Sequence, residues 1–421
     1  MAKSILINNV LIFNGLEDKC LNGNVWIEGN RIKAISEKPI EVGNDSELQI
    51  IAGNGNFLMP GMIDAHWHSY MVANTMVDLL TADSAYTHLK AAKEATNTLF
   101  RGFTTVRDAG GPVFGLKRAI DERIVAGPRI YPSGSLISQT GGHGDFRAVY
   151  DIPHPFDCCS LTHTEKIGAA TIADGVDAVT VAARNNIRLG ASQVKLMVGG
   201  GAASLYDELE DTQYFEEEIR AAVKAAEDAG TYVMVHVYIP EGIARAIRAG
   251  VKSIEHGHLI DEPTMKLIAD RDVWICVQPF TEGDNTFPTR KQQEKHEKIV
   301  HGTDITYELA KKYRVKLAWG TDLLFNPENA KNQNQGIGKL TRWFTNFEIL
   351  KMITHDNGQL LSLSGNRNPY PGKLGVIEED AYADLLLVKG NPLENIDLLE
   401  QPEENIIWVM KNGEIYKRTE V

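Results

Sequence analysis

The chain has 421 residues, of which 43% are hydrophobic and 24% are charged, and it carries a formal net charge of −13 at pH 7. A chain of this length and composition can bury a large core, in one large domain or in two to three smaller ones. The acidic balance, without any concentrated basic stretch, argues against nucleic acid and anionic membranes as partners. No apolar window is long enough to span a bilayer and no signal peptide is evident, so we expect a cytoplasmic protein.

Short β-strands are predicted at both ends of the chain. Before residue 57, β runs at residues 5–12, 24–27, 31–35 and 48–52 alternate with Asn/Gly turns, and we expect an antiparallel sheet. Near the other end, residues 383–388 and 406–410 are again strand-like. Neither part has enough strands for a core of its own. We therefore expect residues 1–56 and 372–421 to pack into one small β-sandwich.

Between these parts, from residue 57 to residue 371, apolar strands alternate with amphipathic helices. One such helix is predicted at residues 214–229, where a single apolar stripe ends at Gly230. The strands are expected at residues 58–66, 104–108, 129–133, 193–198, 232–236, 253–256, 273–277 and 315–319. Eight β units with intervening helices indicate an α/β fold, the (β/α)₈ or TIM barrel.

A His-x-His pair closes the first of these barrel strands. His66 and His68 follow an apolar run, and side chains two residues apart on a strand point to the same face. Two imidazoles that leave a strand end side by side can chelate a metal ion. Two surface histidines after a strand produce the same pattern, so the pair alone leaves both interpretations open.

Four more polar residues lie at or just beyond the ends of other predicted strands, namely Lys195, His236, His256 and Asp322. Catalytic groups of such barrels lie at the C-terminal ends of the strands, so all six residues should converge at one mouth. Each has an ordinary alternative: a snorkelling or ion-paired lysine, hydrogen-bonded core histidines, or an aspartate that caps a helix. The series as a whole favours metal ligands.

These six residues together resemble the amidohydrolase superfamily, in its subtype with a two-metal site and a carboxylated lysine. The resemblance covers nearly the whole chain, including residues 60–66 and the 383–385 segment of the terminal β part. It implies one metal ion on His66, His68 and Asp322, a second on His236 and His256, and a CO₂-derived carbamate on Lys195 that bridges them. Zinc suits this ligand set, with manganese or cobalt as alternatives. The modification also removes an ammonium that would otherwise face metal cations.

A glycine-rich segment, residues 138–147, follows the third predicted barrel strand. Its Gly142-His143-Gly144-Asp145 stretch resembles a loop of the branch that contains Xaa-Pro dipeptidases, metal-dependent carboxypeptidases and an ochratoxin-cleaving amidase. The resemblance implies that His143 helps to hold the substrate, and we expect it to anchor a substrate carboxylate, with Arg147 as a second candidate for this role. The alternative is a glycine-rich turn with an incidental histidine. It also implies that Tyr238 contacts the scissile group.

The resemblance implies hydrolysis of an amide bond by a metal-bridging hydroxide, in a dipeptide or N-acyl amino acid with a free C-terminal carboxylate. Asp322 would accept the proton of the hydroxide and pass it to the leaving amine. The alternatives are a one-metal deaminase or cyclic-amidine hydrolase, a phosphotriesterase- or lactonase-like hydrolase, and a metal-free scaffold protein. We expect a small molecule as the partner, and the oligomeric state stays open, a homo-oligomer included.

Overall fold

The computed structural model describes residues 4–42, 48–153, 161–204, 206–284, 287 and 289–418. The strands are β1 (Ser4–Phe13), β2 (Cys20–Glu28), β3 (Arg31–Ser36), β4 (Leu48–Ala52), β5 (Phe57–Pro60), β6 (Met62–Trp67), β7 (Phe103–Asp108), β8 (Arg129–Pro132), β9 (Leu136–Ser138), β10 (Ala170–Ile172), β11 (Val194–Met197), β12 (Val233–Val237), β13 (Ser253–His256), β14 (Trp274–Val277), β15 (Lys316–Trp319), β16 (Leu385–Val388), β17 (Ile406–Lys411) and β18 (Glu414–Arg418).

The α-helices are α1 (Met76–Thr81), α2 (Ser84–Phe100), α3 (Phe114–Asp121), α4 (His163–Lys166), α5 (Val176–Leu189), α6 (Glu216–Asp228), α7 (Pro240–Ala249), α8 (Glu262–Asp270), α9 (Arg290–Tyr313), α10 (Gln335–Lys339), α11 (Asn346–Lys351), α12 (Asn357–Ser362) and α13 (Pro402–Asn405). Short 3₁₀ turns lie at Met71–Ala73, Ala330–Asn332, Leu340–Arg342, Gly365–Arg367 and Ile396–Glu400, and a π-helical turn lies at Met352–Asp356. None of the described helices is long and apolar enough to cross a membrane.

Strands from both chain ends form one eight-stranded sheet. Its order is β18-β17-β16-β5-β1-β2-β3, and β4 pairs with β1. Alternate residues of β16 face two different cores: Leu385 and Leu387 pack in the core of the terminal sheet, whereas Leu386 and Val388 pack in the barrel core. Burial of both faces explains why this strand is an unbroken apolar run. The expectation that strands from both chain ends join in one β structure is therefore confirmed.

Two features of the terminal sheet differ from the sequence-based expectation. The sheet is mixed rather than antiparallel, because β1 pairs in parallel with both β4 and β5. The single strand predicted at residues 58–66 is two strands, β5 in the terminal sheet and β6 in the barrel. Gly61 separates them, and a Cβ at this position would overlap the side chain of Thr104. Only glycine fits where the chain passes from one sheet to the other.

The barrel is a (β/α)₈ barrel, as the strand pattern predicts. Its strands form a parallel sheet in the order β10-β9-β11-β12-β13-β14-β15 and a second parallel sheet in the order β6-β7-β8. Helices cover the strands through apolar faces, and the helix predicted at residues 214–229 is α6, which buries Ile219, Ala222, Val223 and Ala226. The main barrel core contains residues of both parallel sheets, for example Phe103 of β7 and Val235 of β12.

The last and first barrel strands, β15 and β6, meet at a seam that side chains help to hold together. The Asp64 carboxylate accepts hydrogen bonds from the Thr321 amide at 3.1 Å, the Thr321 hydroxyl at 2.7 Å and the His66 amide at 3.1 Å. The Asp322 amide donates to the His66 carbonyl at 2.8 Å. These bonds hold the end of β6 beside the residues that follow β15.

Candidate active site

Five of the six polar residues predicted at strand ends, the four histidines and Asp322, lie at the C-terminal mouth of the barrel. Lys195 lies within β11, close enough to His66 and His236 to lower the pKa values of both. The rings of His66 and His68 have centroids 5.5 Å apart, those of His66 and His256 are 4.9 Å apart, and those of His236 and His256 are 4.5 Å apart. The four histidines and Lys195 are almost fully buried. The side chain of Asp322 is 16% exposed, so the cluster opens to solvent beside this carboxylate.

His66, His68 and Asp322 form a group that could hold a metal ion. The Nε2 atoms of both histidines lie 3.3 Å from Oδ1 of Asp322. Their Nδ1 atoms are occupied elsewhere: His66 Nδ1 lies 2.7 Å from a Glu255 carboxylate oxygen, and His68 Nδ1 lies 2.9 Å from the Gly110 carbonyl. This arrangement leaves Nε2 as the ligand atom, and His66 Nε2 is buried without a hydrogen bond among the described residues. The donor set therefore fits a metal ion.

Three histidines of the cluster, His66, His236 and His256, are neutral at physiological pH. Burial lowers the pKa of His256 to about 3 and lowers the pKa values of His66 and His236 well below 6.5. Neutral imidazole is the form that binds a metal ion. His256 Nδ1 lies 2.7 Å from Gln278 Oε1, and His236 Nε2 lies 3.1 Å from a backbone carbonyl, so one nitrogen of each ring is already oriented.

The pKa values of Lys195 and Asp322 are both lowered, which favours the neutral form of the lysine and the charged form of the aspartate. Burial lowers the pKa of Lys195 to about 8, which makes a neutral, nucleophilic amine accessible near neutral pH. Burial by itself would raise the pKa of Asp322, but His66 and His68 more than offset that effect and hold it far below its ordinary value. Asp322 is therefore a carboxylate at neutral pH.

Two residues of the cluster have an unusual backbone conformation. His256 has a φ of 79° and Asp322 a φ of 52°, both in the left-handed region that non-glycine residues seldom adopt. Backbone strain of this kind costs on the order of 1–3 kcal/mol and is found preferentially at functional sites. No helix begins at Asp322, since the next described helical turn starts at Ala330. The helix-cap explanation of Asp322 is therefore wrong.

A buried network below the mouth was not predicted from the sequence. The Glu255 carboxylate accepts from Arg107 Nη2 at 2.7 Å and from the Ser253 hydroxyl at 2.6 Å, and it orients His66. His66, Glu255 and Cys276 are close enough to be ligands of one ion, but the Arg107 guanidinium already neutralises Glu255. The network therefore orients a histidine. Its signal in the sequence is the acidic residue inside the short strand β13.

Of the residues predicted to contact substrate, His143 and Tyr238 lie against the cluster. The His143 ring stacks on His236, with centroids 4.1 Å apart and an interplanar angle of 11°. The Tyr238 ring lies 5.0 Å from His256. Arg147 instead pairs with Asp145 of its own loop, with Nε 2.7 Å from Oδ1, while its buried Nη1 has no hydrogen-bond partner among the described residues.

A cavity of about 260 Å³ lies beside the cluster, between the segments that follow β14 and β15. Gln278, which contacts His256, and Thr321, which precedes Asp322, both line it. The cavity therefore adjoins the cluster through these two residues.

Known proteins share both the sequence pattern and the fold. The model of the amidohydrolase family matches residues 57–416. Ochratoxinase from Aspergillus niger is 29% identical over 378 residues, which cover 86% of this chain and 75% of that protein. A prolidase solved in complex with N-methylphosphonate-L-proline is 33% identical with a TM-score of 0.89, over 99% of this chain and 100% of the other. A Xaa-Pro dipeptidase solved with methionine in its active site is 30% identical with a TM-score of 0.84, over 98% and 100% of the two chains. This chain belongs to the amidohydrolase family.

Proposed function

We propose that this protein is a binuclear metal-dependent amidohydrolase that cleaves the amide bond of dipeptides or N-acyl amino acids with a free C-terminal carboxylate. The observation that carries this proposal is the stacking of His143 on His236, which brings a candidate carboxylate anchor into direct contact with the metal-ligand cluster. The similarity to prolidase, Xaa-Pro dipeptidase and ochratoxinase supports the same reaction class.

The proposed ligands form two sets, one for each metal ion, and a modified lysine bridges the two sets. His66, His68 and Asp322 would hold one divalent ion, and His236 and His256 would hold the second. Lys195, as a carbamate, would supply an anionic bridge with two oxygens. Zinc suits imidazole and carboxylate ligands, and manganese or cobalt can also occupy such a site. When bound, such ions would lower the pKa of a water molecule from about 15.7 towards 7 and would polarise the substrate carbonyl.

The protein side chains supply the proton transfers and the substrate contacts. Asp322, ionised at neutral pH, accepts the proton of the attacking water and delivers it to the leaving amine. Burial raises the pKa of Tyr238 well above 10, so its hydroxyl stays protonated and donates a hydrogen bond to the carbonyl oxygen. His143 binds the substrate carboxylate, and Arg147, whose Nη1 has no hydrogen-bond partner within the described part of the chain, is the second candidate for this contact.

The substrate class is tested by comparing a free acid with its methyl ester. Hydrogen bonds to charged groups contribute roughly 1.5–3 kcal/mol, so we expect the N-acyl amino acid to be hydrolysed about tenfold to over a hundredfold faster than the ester. His143→Ala should produce a similar loss on the acid and little further loss on the ester. The measurement is kcat/KM for both substrates in both proteins.

Equal rates for acid and ester in the wild type would overturn the carboxypeptidase-like proposal. That result would favour lactones, neutral amides or phosphotriesters as substrates. Full activity with a single bound ion would instead favour a one-metal deaminase or cyclic-amidine hydrolase, because such enzymes need no lysine bridge. A protein that binds no metal under any condition would point to a scaffold role.

The lowered pKa of Lys195 predicts how activation depends on pH. Only the neutral amine reacts with CO₂, and an amine with a pKa of about 8 is neutral in about a tenth of the molecules at pH 7. The neutral fraction increases as the pH rises through this value. At a fixed concentration of dissolved CO₂, metal-free protein given zinc should therefore gain activity faster at higher pH, with half of the maximal rate near pH 8. An activation rate that does not change with pH would count against the carbamate.

A further inference from the structure

His143 is held by a buried carboxylate to which the proposed mechanism gives no role. Asp207 Oδ2 lies 3.3 Å from His143 Nδ1, and the Asp207 side chain is 1% exposed. The Ser204 hydroxyl lies 2.9 Å from the same nitrogen and donates a short hydrogen bond to Asp207. We propose that Asp207 is a positioning residue that sets the orientation of His143, and through it the preference for substrates with a free carboxylate. This inference rests on the proposed function.

Asp207 lies in a cluster of buried hydrogen bonds rather than in an exposed loop. Its carboxylate also accepts from the Gly201 amide at 3.1 Å. The buried Lys295 ammonium, on α9, donates to the carbonyls of Gly201 at 2.8 Å, Ser204 at 3.1 Å and Asp207 at 2.8 Å. An ammonium bound by three carbonyls fixes the backbone that carries Asp207, so the position of the carboxylate is determined before any substrate binds.

The same cluster also fixes the backbone and the ring of His143. Gln213 Oε1 accepts from the His143 amide at 3.0 Å, and Gln213 Nε2 donates to Asp207 at 3.4 Å. A Cβ at Gly201 would overlap the His143 ring, so the ring packs directly against the backbone there. One face of the ring is covered by His236. With Nδ1 engaged by Asp207 and Ser204, Nε2 is the nitrogen left to bind a substrate.

Removal of the Asp207 charge should therefore act on carboxylate recognition alone. In Asp207→Asn, the shape of the side chain is kept while the charged acceptor for Nδ1 is lost, so the ring is held less firmly. We expect the ratio of kcat/KM for the free acid to kcat/KM for its methyl ester to fall about tenfold, because hydrogen bonds to charged groups are the stronger ones. The loss should appear as a higher KM for the acid. The kcat on either substrate and the kcat/KM on the ester should change by less than about twofold.

The double variant His143→Ala, Asp207→Asn separates an effect through His143 from any other effect. Because Asp207 acts through the imidazole, the acid-to-ester ratio of the double variant should equal that of His143→Ala. Glu210→Gln is the matched control, since Glu210 lies on the same segment and pairs at the surface with Lys298 at 2.8 Å, with 61% of its side chain exposed. This control should leave the ratio unchanged.

The outcomes distinguish the inference from the proposed function. A wild type without preference for the acid overturns the proposed function itself. A clear wild-type preference that persists in Asp207→Asn, or a further fall of the ratio in the double variant, overturns the role of Asp207 alone. If Asp207→Asn does not fold, Ser204→Ala decides, because it removes the other partner of Nδ1. In that variant Asp207 still faces Nδ1, so the ratio should fall by a smaller factor than in His143→Ala. A fall as large as in His143→Ala would assign the orientation of the ring to Ser204 and refute the inference.

Discussion

Lys195→Ala is expected to lose nearly all activity, to below about one per cent of wild type, together with much of the bound metal. The reason is that, in the proposed site, a carbamate on Lys195 would supply the negative charge and the two oxygens that hold two cations close together. Five protein ligands and a bridge are more than one zinc ion accepts, so the wild type should contain about two ions per chain. Elemental analysis and turnover, measured on the same samples, test both expectations.

A small carboxylate such as acetate or propionate should restore part of the activity of Lys195→Ala by occupying the space of the carbamate. Lys411→Met provides a matched control, because Lys411 is also buried with its pKa lowered by burial to about 8, but it lies in the terminal sheet. That variant should keep its metal and its turnover per folded molecule. Wild-type turnover and metal content in Lys195→Ala would rule out the carbamate.

Asp322→Asn is expected to lower kcat at least about a hundredfold, which is the lower end of the contribution of general acid–base catalysis. Asparagine keeps the shape of the side chain but has no basicity, so it cannot accept and return the proton. It also tolerates the left-handed backbone at this position, where φ is 52°. The fold and most of the metal should therefore remain, which circular dichroism and elemental analysis can verify alongside the kinetics.

Asp380→Asn is the control for the backbone at Asp322. Asp380 is an exposed aspartate with a φ of 66°, so the same substitution meets the same conformational requirement away from the mouth of the barrel. Its activity should match the wild type. If Asp322→Asn also retained full turnover with its metal in place, another group would have to carry the proton.

The pattern of apolar runs was enough to predict the barrel and most of its candidate ligands. Each predicted strand is a local feature of a few residues, and the alternation of strands and helices leaves few ways to bury them. The rule that catalytic groups lie at strand ends then brings residues as distant as His66 and Asp322 to one mouth. The structure places their side chains 3.3 Å apart.

The tertiary structure decided the contacts that no short pattern contains. Gly61 divides one apolar run between two sheets because Thr104 leaves no room for a Cβ, and this neighbour is invisible in the local sequence. From the sequence alone, Glu255 is an ordinary strand residue and Asp207 an ordinary loop residue. Their roles become visible only in the fold, which places Arg107 beside Glu255 and His143 beside Asp207. Hydrophobic periodicity reports which face of an element is buried, whereas the partner of a buried polar side chain depends on how separate elements pack. The sequence by itself therefore determined the barrel and its ring of candidate ligands, and only the packing decided which groups orient them.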